Sequence, residues 1–126
     1  MKITMPSGSI LDITLLPYES AWDVSQRVTK ALESVEIDVK AIDFKNPSYS
    51  DIIGFKGPLF NVLSSKEILE SAKICLVKCT YNNLRFDNMT FESKELRQDF
   101  LPVMYHVLKE NISPFFEGLI SFLSQS

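Results

Sequence analysis

The first fifteen residues alternate between polar and apolar side chains, as a half-buried β-strand requires. In "KITM", Lys2 and Thr4 are polar whereas Ile3 and Met5 are apolar, and the alternation resumes in "ILDITLL" after "PSGS". Proline presets φ and glycine accepts positive φ, so the four intervening residues are typical of a turn. Residues 2–15 are therefore predicted to form a β-hairpin.

The next segment, "PYESAWDVSQRVTKALESVE", has apolar residues at spacings of three and four, which predicts an amphipathic helix. Ser20 suits the N-cap, and Asp23 follows where an acid meets the positive end of the helix dipole. Trp22 lies off the apolar stripe, so it either covers the sheet or a second helix, or is exposed at an interface. The stripe consists of Ala21, Val24, Val28, Ala31 or Leu32, and Val35.

The middle of the chain gives a mixed pattern. Residues 36–44 fit a short third strand or an irregular connector, and residues 50–63 fit a short helix or pair of turns interrupted by Gly54 and Gly57–Pro58. Residues 64–79 are predicted to form a clearer helix, capped by Ser64 or Ser65, with a capping box of Ser64 and Glu67. Its inner stripe is Ile68, Ala72, Cys75, Leu76 and Cys79.

Short apolar pieces follow in "TYNNLRFDNMTF", where Asn82–Asn83 and Asp87–Asn88 are both candidate turns. Tyr81, Leu84 and Phe86 on one side, and Met89 and Phe91 on the other, favour a small hairpin that turns at Asp87–Asn88. Asparagine and aspartate suit such a turn because they tolerate the left-handed conformation.

The remainder of the chain has helical periodicity from Ser93 onward. Pro102 should kink this run or mark a restart near Asp99, because proline cannot donate to the helix ladder. Ser113 and Pro114 together predict the start of a last helix. The predicted fold class is α+β: an N-terminal β-hairpin, as a small antiparallel sheet, packs against several helices, with a long helical C-terminal region, in one domain spanning residues 1–126. The inner positions of the run are Leu96, Phe100, Val103 or Met104, Val107 and Leu108.

Composition narrows the classes of function. A net charge of −3, a pI near 5.1 and no run of four basic residues argue against nucleic-acid binding through a phosphate-contacting patch. No apolar stretch approaches the roughly 20 residues of a membrane span, and the N-terminus has no apolar signal region. The expected location is the cytoplasm, where the two cysteines stay reduced.

Candidate chemistry is sparse. Cys75 and Cys79 have a spacing that can place two thiolates together, but a zinc site needs four ligands and the chain has a single histidine, His106. Buried core packing is the more common role of a free cysteine. Acid pairs such as Glu67–Glu70 fit solvated helix faces. We therefore predict no catalytic residue, no metal and no cofactor, and do not expect an enzyme.

The end of the chain is unusually apolar, with six large apolar residues in nine positions. On a helix they cover an arc of about 160°, whereas a surface helix needs roughly 100° to meet a core. The excess favours either a self-association seam or a client groove, and a well-buried last helix is the alternative. The predicted contact residues are Phe115, Phe116, Leu119, Ile120, Phe122 and Leu123, with Trp22 as a lesser candidate.

Three stretches together resemble the tail assembly chaperones of long-tailed (siphovirus-type) bacteriophages and prophages of Gram-positive bacteria. They are "KITMPSGSILDITLLPYESAWDV", "LSSKEILESAKICLVKCTYNNLRFDNMTFES" and "RQDFLPVMYHVLKENISPFF". Similar features recur in that family in the same order: a K-I-x-x-P-S-G hairpin, a serine-capped helix ending in C-x-Y-N, and a helix with K-E-N-x-x-P-F. The likeness covers roughly three fifths of the chain.

The resemblance implies a small α+β protein without catalytic activity, working in the cytoplasm of the bacterial host. Such chaperones coat the long apolar helical tape measure protein, keep it soluble, and give way as tail tube subunits polymerise. A frameshifted longer form recruits tube subunits in many of these phages, and self-association is a further expectation, without nucleic acid or membrane as partners. The alternative is a structural virion component such as a head–tail connector or tail-completion subunit, and a host adaptor or regulator comes third.

Overall fold

Four short strands form one antiparallel sheet in the order β1–β2–β3–β4. The computed structural model describes the backbone of residues 1–33 and 57–124, and the side chains of residues 1–31, 57 and 60–115. In chain order the strands are β1 (Lys2–Thr4), β2 (Ile10–Asp12), β3 (Thr80–Tyr81) and β4 (Leu84–Arg85).

Helices supply most of the remaining described structure. They are α1 (Tyr18–Glu33), α2 (Gly57–Leu63), α3 (Lys66–Cys75), α4 (Lys94–Arg97) and α5 (Phe100–Ser124), and a 3₁₀ turn at Leu76–Lys78 follows α3. α1 packs on α3 and α5, and α3 packs on α5. The predicted α+β class, with an N-terminal hairpin and a long helical C-terminal region, is confirmed.

The N-terminal hairpin forms as predicted. Ile3 pairs with Leu11, and the backbone N–H of Met5 donates to the carbonyl of Ser9 at 2.8 Å. Gly8 has a φ of 91°, which explains why the turn between the strands needs glycine. The inward residues are apolar: Met5, Leu11 and Ile13 are buried, so the alternation read from the sequence matches the two faces of the sheet.

The second hairpin exists, but its predicted turn at Asp87–Asn88 is wrong. The strands β3 and β4 are joined at Asn82–Asn83, whose φ angles of 52° and 66° suit a two-residue primed turn. This register is fixed by a distant partner, because Tyr81 pairs with Leu11 of β2. Asp87 instead closes a local turn, in which its carboxylate accepts from the N–H of Met89 at 2.8 Å.

Two predicted helix starts need correction. Helix α1 begins before Ser20, because the carbonyl of Pro17 already accepts from the N–H of Ala21 at 2.9 Å. At α3, Ser65 holds the N-cap position, but its hydroxyl donates to the Glu67 carboxylate at 3.0 Å and caps no backbone N–H. The Ser64–Glu67 capping box does not form, since the hydroxyl of Ser64 donates to the carbonyl of Asn61 in α2.

The predicted restart near Asp99 is confirmed. Helix α4 is capped by Ser93, whose hydroxyl accepts from the N–H of Leu96 at 3.1 Å, and α5 begins at Phe100 with Pro102 in its first turn. Proline is tolerated there because the first-turn N–H groups have no intrahelical partner.

The predicted helix start at Ser113 and Pro114 is wrong, because α5 runs continuously through Pro114. A proline inside a helix loses one ladder hydrogen bond. Side chains fix the helix on both sides of it: Asn111 is bonded to the chain at Leu16, and Phe115 packs against Trp22. Tertiary packing therefore overrides the local signal.

The first half of α5 is the centre of the core. Every residue from 102 to 108 is buried, so this stretch is enclosed on all sides. The described residues of the predicted inner stripes of α1 and α3 pack against it. The helix predicted for residues 64–79 ends earlier than expected: α3 stops at Cys75, a 3₁₀ turn follows, and Cys79 enters the core from extended backbone. Residues 36–44 and 50–56, predicted as a strand or connector and as part of a helix, lie outside the described residues. The buried apolar core around α5 includes Leu11, Val24, Leu63, Ile68, Ala72, Tyr81, Val103, Met104 and Val107.

Candidate protein-interaction surface

Trp22 and Phe115, two of the predicted contact residues, meet on the surface of the molecule. Their ring centroids are 5.4 Å apart and the rings lie at 70°, which is an edge-to-face contact. Trp22 is nevertheless 47% exposed. The tryptophan thus packs partly on another helix, α5, and partly faces solvent. Both positions were considered for it from the sequence.

A shallow depression of about 460 Å³ surrounds this aromatic pair. Its lining is Tyr18, Glu19, Trp22 and Asp23 from α1, together with Phe115 from α5. The four α1 residues form two adjacent pairs, and the pairs are one helical turn apart, so all four share one face of the helix. We call this depression the Trp22 surface. It is open to solvent rather than enclosed.

The Trp22 surface is acidic as well as aromatic. The hydroxyl of Tyr18 donates to the Glu19 carboxylate at 3.2 Å, and neither Glu19 nor Asp23 belongs to an ion pair with another described residue. Both carboxylates are exposed on the rim of the depression. The surface therefore combines two carboxylates with three aromatic side chains.

The other predicted contact residues continue from this surface along the same helix. α5 extends unbroken from Phe115 to Ser124, so the helical spacing assumed for the apolar arc holds for the backbone. The side chains beyond Phe115 lie outside the described part of the chain, and their role in contacts stays a prediction. They are Phe116, Leu119, Ile120, Phe122 and Leu123.

A second depression, of about 750 Å³, lies at the other end of α5. Its floor is the half-buried cluster of Phe86, Phe91 and Phe100. The ring centroid of Phe91 lies 5.9 Å from that of Phe86 and 5.3 Å from that of Phe100. Its rim carries charges of both signs, of which Arg97 and Glu92 pair at 3.6 Å. This groove has no predominant charge and no unusual polar group that would select one partner.

The two cysteines lie in the core, as predicted. Cys75 and Cys79 are fully buried, and the thiol of Cys79 donates to the carbonyl of Cys75 at 3.3 Å. Burial raises the pKa of Cys75 to about 12, with the neighbouring Cys79 adding to the shift, and burial also raises the pKa of Cys79. Both thiols therefore stay protonated and unreactive at neutral pH.

His106 lies inside the buried stretch of α5 and is 8% exposed. Its ring meets that of Tyr105 with centroids 5.1 Å apart. The pKa of His106 is lowered to about 4, mainly by burial and in smaller part by the nearby Lys109. The imidazole is neutral in the folded protein, which fits a core residue.

A buried carboxylate at the start of α5 was missed from the sequence. Asp99 is fully buried and accepts from the N–H of Ser7 at 3.0 Å, from the Ser7 hydroxyl and from the Tyr81 hydroxyl. Burial raises the pKa of Tyr81, as does its bond to Asp99. With Ser9 and Asn82, whose side chains bond at 3.0 Å, these residues form one polar network that joins both hairpin turns to α5.

The buried side chains of this polar network are hydrogen-bonded to one another. No described buried side chain has an oxygen or nitrogen atom without a hydrogen-bond partner. Within the described ranges, no group of three or more histidine, cysteine or acidic residues is arranged to hold a metal ion. No helix there is both long and apolar enough to cross a membrane.

Comparison with known proteins adds no relative. No protein-family profile matches the chain, and neither the curated proteins nor the solved structures include a significant match. The assignment of function therefore rests on the residues and on the surfaces described above.

Proposed function

We propose that this chain is a non-catalytic tail assembly chaperone of a long-tailed bacteriophage or prophage, active in the cytoplasm of the bacterial host. Its client is the long apolar helical tape measure protein, which it keeps soluble while the tail tube assembles. The observation that carries the proposal is the contact of the exposed Trp22 with Phe115, the first residue of the most apolar segment of the sequence. The resemblance in three ordered stretches supplies the identity of the client.

The Trp22 surface suits a client that is bound and later released. It is shallow, and its aromatic side chains offer large contact area with few rotatable bonds. A single contact of this size is weak, so tight coating requires many copies along one client. Weak individual contacts dissociate quickly, which is what displacement by polymerising tube subunits needs.

Composition and core chemistry agree with a binding role. The buried cysteines are protonated and His106 is neutral and enclosed, so neither type of residue is available for nucleophilic or acid–base chemistry at neutral pH. A surface that combines exposed aromatic rings with an adjoining apolar helix is typical of a protein-binding site. Association with tube subunits through a frameshifted longer form, and self-association, belong to the same proposal.

The proposal is tested by co-expressing the chain with the long helical protein encoded near it and measuring the soluble, co-purifying fraction. We expect the client to be insoluble alone and soluble in a stable complex. The double variant Phe116→Asp with Leu119→Asp should stay folded and lose the client. The matched control is Leu84→Asp, which adds one charge on β4 at a side chain already 71% exposed, and should retain the client.

A folded double variant that still holds its client contradicts the binding face, and a client that stays insoluble with the wild-type chain contradicts the chaperone function. Mass spectrometry of purified virions distinguishes the chaperone from the alternative, a structural component of the virion. A chaperone is absent from the finished particle, whereas a head–tail connector or tail-completion subunit is present in it.

A further inference from the structure

We propose that the Trp22 surface receives a cationic side chain, an arginine, projecting from the apolar helix of the partner. The inference rests on the proposed function, since it specifies the chemistry of the same client site. It commits the surface to a partner helix that carries a positive charge next to its apolar face, rather than to a purely apolar segment.

The argument begins with the charges around the depression. Glu19 and Asp23 lie one turn apart on α1, next to Trp22 in the same lining, and both are exposed. The lining contains no lysine, arginine or histidine. Among the described residues, the ion pairs lie elsewhere, at Met1–Asp12 and Arg97–Glu92, so neither carboxylate is neutralised by a described cation of the same chain.

The aromatic rings supply the second part of the argument. The face of a tryptophan ring carries negative potential and is the best aromatic partner for a cation. Trp22 lines the depression and is 47% exposed although Phe115 contacts its ring edge-to-face at 5.4 Å, so part of the indole stays open to a guest. An apolar guest would bury the rings but leave two carboxylates partly desolvated without partners, which is unfavourable.

Arginine fits better than lysine. Its planar guanidinium stacks on an aromatic face and presents several N–H donors in its plane, so one group can lie on Trp22 and reach a carboxylate at its edge. The apolar stem of arginine covers ring surface at the same time. The second depression, at the other end of α5, lacks this complementarity because its rim carries both signs of charge and its Arg97 is already paired.

Trp22 is the only tryptophan of the chain, so its fluorescence reports on this surface alone. The probe is a synthetic amphipathic helix of about 20 residues, long enough to be helical, with a leucine stripe, one central arginine and no tryptophan. Matched peptides replace the arginine by citrulline, its neutral isostere, or by leucine. We expect the arginine peptide to bind about tenfold more tightly than the citrulline peptide, from one stacked cation and two exposed ion pairs.

Two double variants test whether the preference for the arginine peptide arises at the Trp22 surface. Glu19→Gln with Asp23→Asn should bring the arginine and citrulline peptides to equal affinity. Glu70→Gln with Glu95→Gln removes two exposed charges elsewhere and should keep the tenfold difference. The proposal is overturned if the leucine peptide binds as tightly as the arginine peptide, if no peptide gives a saturable change in Trp22 fluorescence, or if the Glu19–Asp23 variant keeps the preference.

The same variants separate this inference from the proposed function. A client complex that forms normally with the Glu19–Asp23 variant, at low and high salt alike, overturns the arginine inference and leaves the chaperone function in place. The opposite result is also informative. If the Trp22 surface prefers the arginine peptide but the chain fails to solubilise the long helical protein, the chaperone function is contradicted and the arginine inference stands.

Discussion

The two ends of the described part of α5 are built in opposite ways. At its start, the buried Asp99 carboxylate accepts three hydrogen bonds from Ser7 and Tyr81, which ties both hairpins to the helix. Toward its other end, Phe115 meets the half-exposed Trp22 at the surface. The first end uses polar groups that the fold satisfies completely, whereas the second leaves apolar and charged groups open. The comparison teaches that the first end holds the fold, whereas the second leaves ring surface and carboxylates exposed to solvent.

The resembling sequence motifs divide between the same two ends. Ser7 of "PSG", Tyr81 of "C-x-Y-N" and Asp99 of "RQDF" meet in the polar network, so these motifs have a structural explanation in this chain. In "KENISPFF", Asn111 is buried and accepts from the N–H of Leu16 at 2.9 Å, which is also structural. Phe115 is the motif residue that contacts the exposed Trp22, and the functional proposal depends on it.

The largest effect is expected at the buried end. Asp99→Ala leaves the Tyr81 hydroxyl and the Ser7 N–H buried without an acceptor, which should lower the free energy of unfolding by about 3–5 kcal/mol. Urea denaturation measures the loss. The matched variant Asp23→Ala, at an exposed carboxylate, should change stability by less than about 0.5 kcal/mol. Equal effects of the two variants would contradict the distinction between the two ends.

The enclosed middle of α5 should make the protein sensitive to acid. His106 has its pKa lowered to about 4 by burial, so the folded state keeps it neutral while the unfolded chain takes up a proton below about 6.5. The free energy of unfolding should therefore fall as the pH drops from 6.5 toward 4, by on the order of 2–3 kcal/mol.

Urea titrations at a series of pH values measure this loss of stability. The variant His106→Gln should lose most of the slope between pH 6.5 and 5, where few carboxylates titrate. An unchanged slope in this variant would show that His106 is accessible to protons in the folded state.

The two asparagines of the second turn allow the stability effect of a positive φ to be separated from that of side-chain hydrogen bonds in the polar network. Both have positive φ, but the side chain of Asn82 also accepts from the N–H of Ile10 at 2.9 Å and donates to Ser9. Asn82→Gly should cost about 1–2 kcal/mol through those bonds, whereas Asn83→Gly should stay within about 0.5 kcal/mol. Thermal unfolding of the two variants makes the comparison, and equal midpoints would remove Asn82 from the network.

The smallest effect on stability is expected at the open end. Trp22→Ala removes one aromatic contact and a half-exposed ring, which should lower stability by only about 1 kcal/mol. The same variant should bind the client much more weakly. A loss of several kcal/mol would instead place Trp22 in the core and argue against a free surface.

Local patterns were enough to predict much of the fold. Alternation in residues 2–15 located the first hairpin, and the repeat of Ile68, Ala72 and Cys75 located the inner face of α3. The second turn was misplaced because Asn82–Asn83 and Asp87–Asn88 suit a tight turn equally well by residue type. Only the pairing of Tyr81 with Leu11 distinguishes them. The Asp99 network was missed for the same reason: its partner Ser7 is 92 residues away.

Two residues of the candidate site, Trp22 and Phe115, were predicted from the sequence, but its geometry and its other three residues were not. The apolar density of the chain end indicated Phe115, and the position of Trp22 off its helix stripe marked that residue. Their contact depends on how α1 crosses α5, which no local pattern specifies. Tyr18, Glu19 and Asp23 gave a usable signal, because they share one helical face with Trp22, but their meaning required the position of Phe115.

The most direct test of the central claim is the recovery of the soluble client complex with the Phe115→Asp variant, measured beside its thermal midpoint. We predict that the variant unfolds within a few degrees of the wild-type chain, as a loss of about 1 kcal/mol implies, and that the long helical client is lost from the soluble fraction. A folded Phe115→Asp variant that co-purifies with the client at wild-type stoichiometry would contradict the claim that the open end of α5 binds the partner.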